Sequence, residues 1–191
     1  MRTFVLSGAT GFLGGRLAAA LLARGDAVVA VVRSEAAALR LRARHPGNAL
    51  RAVIAAARTA EAALDDAFAG TGVAPAGVIH AAACYGRRGE PDAALVEANI
   101  AVPLALLDWA MHSGAQGLVL VDTVLAPAAG RYAASKARGR QVLRAQAATA
   151  ARPVLNLRLE HLYGPGDAPD RFVPWLAEAC RDDRGEVPLG S

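Results

Sequence analysis

The sequence is poor in cysteine, in aromatic residues and, above all, in lysine. Its two cysteines, Cys84 and Cys180, have neither metal-ligand spacing nor a disulfide framework around them. That excludes a disulfide scaffold, gives no reason to expect a metal, and points to a reducing cytoplasm. Aromatics make up 5% of the chain, and the arginines behind the +4 formal charge are scattered among 17 acidic residues. Without a basic stripe interleaved with stacking rings, nucleic acid is not an expected partner. No apolar run approaches the roughly 18 residues of a membrane span, because Arg24, Gly25 and Asp26 interrupt the longest candidate, so no membrane partner is expected. The same N-terminal stretch does not read as a signal peptide, since glycines at 8, 11, 14 and 15 and Arg16 break any hydrophobic region.

What remains is 191 residues, 54% hydrophobic and 20% charged, about a quarter of them alanine: an ordinary size and composition for one globular domain. Of the 21 basic residues only Lys136 is a lysine. Short β-branched runs alternate with longer alanine-rich amphipathic stretches. Strands are expected at 3–6, 27–32, 51–54, 77–80, 118–121 and 154–159, and helices at about 12–24, 34–43, 59–69, 92–112, 132–149 and 171–182. The alternation predicts βαβ units and an α/β fold with a doubly wound parallel sheet. No repeat and no Pro/Gly/Ser-rich linker divides the chain, and the tail at 186–191 reads as the beginning of a further strand.

Directly after the first strand comes Ser7-Gly8-Ala9-Thr10-Gly11-Phe12-Leu13-Gly14. Glycines in this spacing permit a tight turn, let backbone N–H groups approach a pyrophosphate, and place that anion at the positive end of the following helix. The second strand ends in Val32-Arg33-Ser34, where a carboxylate would grip the ribose 2′-hydroxyl of NAD. Arginine with a neighbouring hydroxyl suits a 2′-phosphate, which favours NADP, with Glu35 left as the group that would instead accept a ribose of NAD.

After the fifth strand come Asp122-Thr123 and then Tyr132-Ala133-Ala134-Ser135-Lys136 on a helix. The i, i+4 spacing puts the phenol and the ammonium on one face. A free phenol has a pKa of about 10, and an adjacent cation lowers it, which makes the tyrosine a proton donor and acceptor for a substrate oxygen. Chance would set a lone lysine four residues behind one of three tyrosines about once in sixty placements. His80, with no partner ligand near in sequence, reads as a packed histidine at a strand end.

These residues carry a resemblance. The chain resembles the extended short-chain dehydrogenase/reductase superfamily, the NAD-dependent epimerase/dehydratase family, through GATGFLG at 8–14, VIHAAA at 78–83, Asn99, DT at 122–123, YAASK at 132–136 and LRLEHLYGPGD at 157–167. Within it, CYGRRGE at 84–90 and the short Thr123-to-Tyr132 interval are most similar to the CDP-abequose/paratose synthase-like nucleotide-sugar 4-ketoreductases. The resemblance implies a Rossmann-type fold in which Gly8, Thr10, Gly11, Phe12, Leu13 and Gly14 hold the pyrophosphate and Arg33 and Ser34 the adenosine ribose. Ala81, Ala82 and Ala83 line the cofactor, and Lys136 holds the nicotinamide ribose. Thr123, Tyr132 and Lys136 are then the catalytic residues, and Cys84, Tyr85, Thr123, Tyr132 and His161 face the substrate, with His161 where relatives usually carry asparagine.

The implied activity is NADPH-dependent reduction of the 4-keto group of a nucleotide-linked deoxysugar. Epimerisation with NAD, or a non-catalytic NAD(P)-binding sensor module, is the alternative. Val124 and Leu125 stand where family dehydratases carry an Asp-Glu pair, which speaks against dehydration. Ala55, Ala56 and Ala57 end the third strand, where an acidic residue near the adenine is common. Dimers through two helices per subunit are frequent in the superfamily it resembles, which leaves a homodimer open, and the resemblance further implies a C-terminal substrate subdomain of which 160–191 is only the start.

Overall fold

The computed structural model describes residues 1–182 and 185. Six parallel strands form one sheet: β1 (Thr3–Ser7), β2 (Ala27–Val32), β3 (Leu50–Ile54), β4 (Gly77–His80), β5 (Leu118–Thr123) and β6 (Val154–Leu159), in the spatial order 3-2-1-4-5-6. This is the doubly wound Rossmann order, which reverses direction between β1 and β4 and opens a crevice at the carboxyl ends of those strands. Register follows directly, with Leu6 beside Ala30 and Ile79, and Leu120 beside His80 and Asn156.

The strands read as unbroken apolar runs because both faces are covered. Under one face Val5, Val29, Val31 and Leu118 pack on Leu64 of α3 (Ala57–Phe68) and on Leu106, Leu107 and Trp109 of α5 (Val102–His112). Under the other, Leu6, Val28, Ala30 and Val32 pack on Ala18 and Leu21 of α1 (Phe12–Ala23) and on Ala38 and Leu41 of α2 (Glu35–Arg44). The period-2 alternation of β2 thus feeds two cores at once. Each Leu or Trp fully buried in this way contributes on the order of 2 kcal/mol.

The expected helix over 92–112 is interrupted. It consists of α4 (Asp92–Val96), a π-helical turn at Glu97–Ala101, and α5. Pro103 explains the break: it has no N–H to give the carbonyl of Asn99, and its ring crowds that carbonyl, so the helix widens there. By length and mean hydropathy Asp92–His112 is the one stretch among the described residues able to cross a membrane, contrary to the expectation that no run reaches that length. Leu106, Leu107, Trp109 and Ala110 are all buried in the core.

A short 3-10 turn, Pro127–Ala129, leads from β5 to α6 (Arg131–Ala147). The chain divides into two compact units, residues 1–160 and 161–191. The second contains α7 (Phe172–Arg181), with the Phe172 and Trp175 rings 6.3 Å apart. The strand expected from the tail at 186–191 lies outside the described residues.

Candidate active site

The β1–α1 turn is held by close backbone approaches. Gly8 has φ +83°, and a Cβ there would sit 2.5 Å from the Ala82 nitrogen. A Cβ on Gly14 would sit 2.1 Å from the Gly8 carbonyl oxygen, so α1 packs against its own entry turn and only glycine fits. The Gly11 N–H donates to the Gly8 carbonyl at 2.9 Å, and the Ala81 N–H to the Ser7 carbonyl at 3.1 Å. Ala81, Ala82 and Ala83 therefore run alongside the glycine turn.

Helix α1 starts at Gly11 with no side-chain cap and no acidic residue in its first turn. Its unpaired N–H groups and positive dipole end are open to an anion. Thr10 is exposed and Phe12 and Leu13 half-buried beside it, and the Arg16 guanidinium lies 5.0 Å over the Phe12 ring. A dinucleotide's pyrophosphate fits this arrangement on backbone chemistry alone.

At the end of β2, Arg33 is exposed. Glu35, the neighbour that might have neutralised it or gripped a ribose, pairs with Arg42 at 3.1 Å. The Ser34 hydroxyl accepts the Ala37 N–H at 3.3 Å as the N-cap of α2, a structural use beside the cofactor role expected of it. The charge of Arg33 reaches the loop after β4. Glu90 is held below the ordinary carboxylate range chiefly by the Arg88 N–H and its own, with Arg88 and Arg33 adding to the effect.

That loop is anchored by Asn99, the residue the π turn presents. Its Oδ1 accepts the Cys84 N–H at 3.0 Å, and its Nδ2 donates to the Cys84 carbonyl at 2.9 Å and to Ser135 Oγ at 2.8 Å. Ser135 Oγ in turn donates to the Tyr132 carbonyl at 2.8 Å. Every hydrogen-bonding group of this buried amide is used, as burial requires. The Asn99 side chain thereby ties the β4 loop to the helix that carries Tyr132 and Lys136. Gly139 allows the close pass, since a Cβ there would sit 2.5 Å from the Asn99 carbonyl oxygen.

The Cys84 side chain is buried with Leu95 and Ala98. Of the two loop residues expected at the substrate, Tyr85 is the exposed one, and its ring lies against that of Tyr132 with centroids 4.6 Å apart, while the Arg87 guanidinium lies 5.5 Å over its ring.

Thr123 ends β5, buried, with its N–H donating to Asp122 Oδ1 at 2.8 Å. Its Oγ1 accepts the Leu125 N–H at 3.2 Å, which leaves the hydroxyl proton available for donation. Lys136 is buried on α6 and donates to the Val121 carbonyl at 2.7 Å, which turns the Tyr132/Lys136 face toward the end of β5. Burial pulls Lys136 below the usual lysine range; Asp122 opposes this and Arg140 adds to it.

His80 is a packed histidine, with Nδ1 2.7 Å from Ser7 Oγ. Burial, reinforced by the Lys136 charge, pushes it down to about 3. His161, expected at the substrate, is exposed and opens the second unit. No group of three or more His, Cys, Asp or Glu among the described residues is placed to hold a metal ion.

Asn99 carried the resemblance without an assigned task, and Asp122, Arg140 and Asn156 drew no attention as site-building residues. Pro103, four residues beyond Asn99, was the available signal for the first. For the others the signal is the sheet register, which sequence does not display.

A model of the NAD-dependent epimerase/dehydratase family matches residues 4–191. CDP-abequose synthase of Salmonella typhimurium is 28% identical over 186 residues, covering 91% of this chain and 58% of that protein. Among solved structures, UDP-glucuronic acid 4-epimerase from Bacillus cereus, in complex with NAD, superposes with a TM-score of 0.72 at 20% identity, covering 95% of this chain and 63% of that one. A double mutant of the dTDP-glucose 4,6-dehydratase of Streptomyces venezuelae, with NAD bound, gives 0.70 at 25% identity, covering 99% and 64%. The chain thus spans about three-fifths of the length of these relatives.

Proposed function

We propose that this chain, which belongs to the NAD-dependent epimerase/dehydratase family, is the cofactor-binding and proton-transferring part of an oxidoreductase that reduces the 4-keto group of a nucleotide-linked deoxysugar with NADPH. The observation that carries the reading is the bond from Lys136, on the same face of α6 as Tyr132, to the Val121 carbonyl two residues before Thr123, at the carboxyl end of β5 and beside the crevice onto which the glycine turn opens. When bound, the dinucleotide supplies the hydride that the carbonyl carbon gains.

The remaining work falls to side chains. Thr123 donates its hydroxyl proton as a hydrogen bond to the carbonyl oxygen, Tyr132 gives up its phenolic proton to the alkoxide that develops there, and solvent later returns a proton to Tyr132. Lys136 favours the phenolate left behind and has donors to spare for ribose hydroxyls, because only one is spent on Val121. The α1 N-terminus holds the pyrophosphate, and exposed Arg33 takes a 2′-phosphate.

Reduction is favoured over dehydration because Thr123 is followed by Val124 and Leu125, half-exposed apolar side chains that can neither give nor take a proton. The similarity to CDP-abequose synthase supports a nucleotide-sugar substrate.

The test is consumption of NADPH, followed at about 340 nm, with a nucleotide-linked 4-keto-6-deoxysugar. Turnover is expected, and Tyr132→Phe should slow it by about 100-fold or more. Cofactor binding without turnover, insensitive to Tyr132→Phe, overturns the reading in favour of a sensor module.

A further inference from the structure

We propose that Asp122 is a positioning residue that acts through Thr123 and Lys136: paired with Arg140, its buried carboxylate fixes the Thr123 backbone and is the counter-charge that keeps the Lys136 ammonium protonated. The proposal rests on the reading of Thr123 and Lys136 as reacting-site residues, and its test does not require the reaction.

The geometry is that of one carboxylate serving three elements. Asp122 is almost fully buried at the end of β5. Its Oδ1 accepts the Thr123 N–H at 2.8 Å, its Oδ2 accepts Asn156 Nδ2 from β6 at 3.0 Å, and Arg140 Nε of α6 lies 2.7 Å from that second oxygen. The Lys136 ammonium is bound at 2.7 Å to the Val121 carbonyl, the peptide that leads directly into Asp122. Lys136 and Arg140 are one helical turn apart on the same face of α6. One buried carboxylate therefore has two cations of α6 beside it, Arg140 paired with it directly and Lys136 held at the neighbouring peptide.

That stoichiometry has a consequence. A buried ammonium is stable only with compensation, and without it the lysine gives up its proton. A neutral amine would neither favour the Tyr132 phenolate nor offer three donors. The charged and titratable groups that act on Lys136 are Asp122 from β5, His80 from β4 and Arg140 from its own helix, with Tyr132 one helical turn before it. Arg158 from β6 is turned to the Thr123 and Val124 carbonyls. His80 is neutral and Arg140 is repulsive, so Asp122 is the anion that compensates the ammonium. The same carboxylate holds Thr123, which couples the placement of the carbonyl's hydrogen-bond donor to the charge state of the lysine.

The composition of the chain supplies the experiment. Lysine carrying 13C at its ε carbon, incorporated during expression, labels Lys136 alone, and the chemical shift followed from neutral to alkaline pH gives its titration without substrate, cofactor or turnover. Asp122→Asn keeps the shape and an acceptor for Thr123 and removes the charge. Its midpoint should fall by about one pH unit or more. Arg140→Met removes the opposing cation, and its midpoint should rise.

An unchanged or raised midpoint in Asp122→Asn overturns the proposal. If that variant does not fold, Arg140→Met decides alone, because an unchanged or lowered midpoint there overturns it equally. Opposite shifts in the two variants together with absent turnover would leave this inference standing and reject the 4-keto reduction. Normal turnover with coincident titrations would do the reverse.

Discussion

Where β1 turns into α1, a Cβ on Gly14 would fall inside the Gly8 carbonyl, and the turn exists because side chains are left out. Where β5 runs toward α6, Asp122, Lys136, Thr123 and Asn99 are all buried and the site exists because polar side chains are packed in. Both regions lie at the carboxyl ends of one sheet, yet their vulnerabilities differ. The glycine turn carries no titratable group of its own and answers to volume. The β5–α6 region, close-packed only where Gly139 passes Asn99, answers chiefly to charge and to lost hydrogen bonds. On the proposed function, one half of the site is to grip a cofactor by geometry and the other to do proton chemistry, which cannot be done without ionisable groups.

The largest effect should come from the first region. Gly14→Ala places its methyl group against backbone that cannot rotate away, and a loss of about 3 kcal/mol in urea unfolding is expected. A loss under 1 kcal/mol would show that the turn has slack and would erase the contrast. Next is Asn99→Ala, which strips both Cys84 backbone groups and Ser135 Oγ of their shared partner. About 2 kcal/mol of stability should go, and the Cys84 amide should exchange faster with solvent while the α1 amides keep their protection. Equal loosening of both regions would mean that they form one cooperative unit.

The smallest effect at neutral pH, and the one that sharpens the comparison by acid alone, concerns His80. Its folded pKa of about 3 lies below the ordinary 6.5. The neutral ring is therefore fully compatible with folding above pH 6.5. Between pH 6.5 and about 3 the unfolded chain takes up a proton that the folded one refuses, so stability falls as pH falls and levels off below that range. His80→Asn keeps a polar group for Ser7 and should flatten this limb of the urea-midpoint profile. An unaltered limb would assign acid sensitivity elsewhere, with Asp26 next in line. Burial raises its pKa, but the hydrogen bonds from Arg24 and Arg2 outweigh this and bring it to about 2.

Much of the fold was legible in the chain. β2, β4 and β6 have the expected bounds, and β1 and β5 each run further, to Ser7 and Thr123. Those extra residues are polar, so an apolar pattern ends before the backbone ladder does. The glycine turn was legible because it makes only local demands, a positive φ at Gly8 and no Cβ at Gly14. The π turn was not, although Pro103 stood in the middle of the expected helix, because a proline there marks a disturbance without saying what form it takes, and only packing against Gly139 shows the carbonyl it displaces. Ser34 was read toward a cofactor and the structure uses it to cap α2. A hydroxyl at the second residue after a strand suits either task, and both can coexist.

The sequence by itself determined the alternation of strand and helix, the anion-ready turn after β1, and the shared face of Tyr132 and Lys136, because each depends on residues within one or two turns of each other. Only the tertiary structure decided what surrounds that lysine. Asp122, Arg140 and Asn156 meet because β6 pairs with β5 and α6 crosses beside it, with Leu120 opposite Asn156 in the ladder. A carboxylate's influence on a buried ammonium falls with distance through a low-dielectric interior, and that distance is set by the order of the strands, which no local pattern encodes.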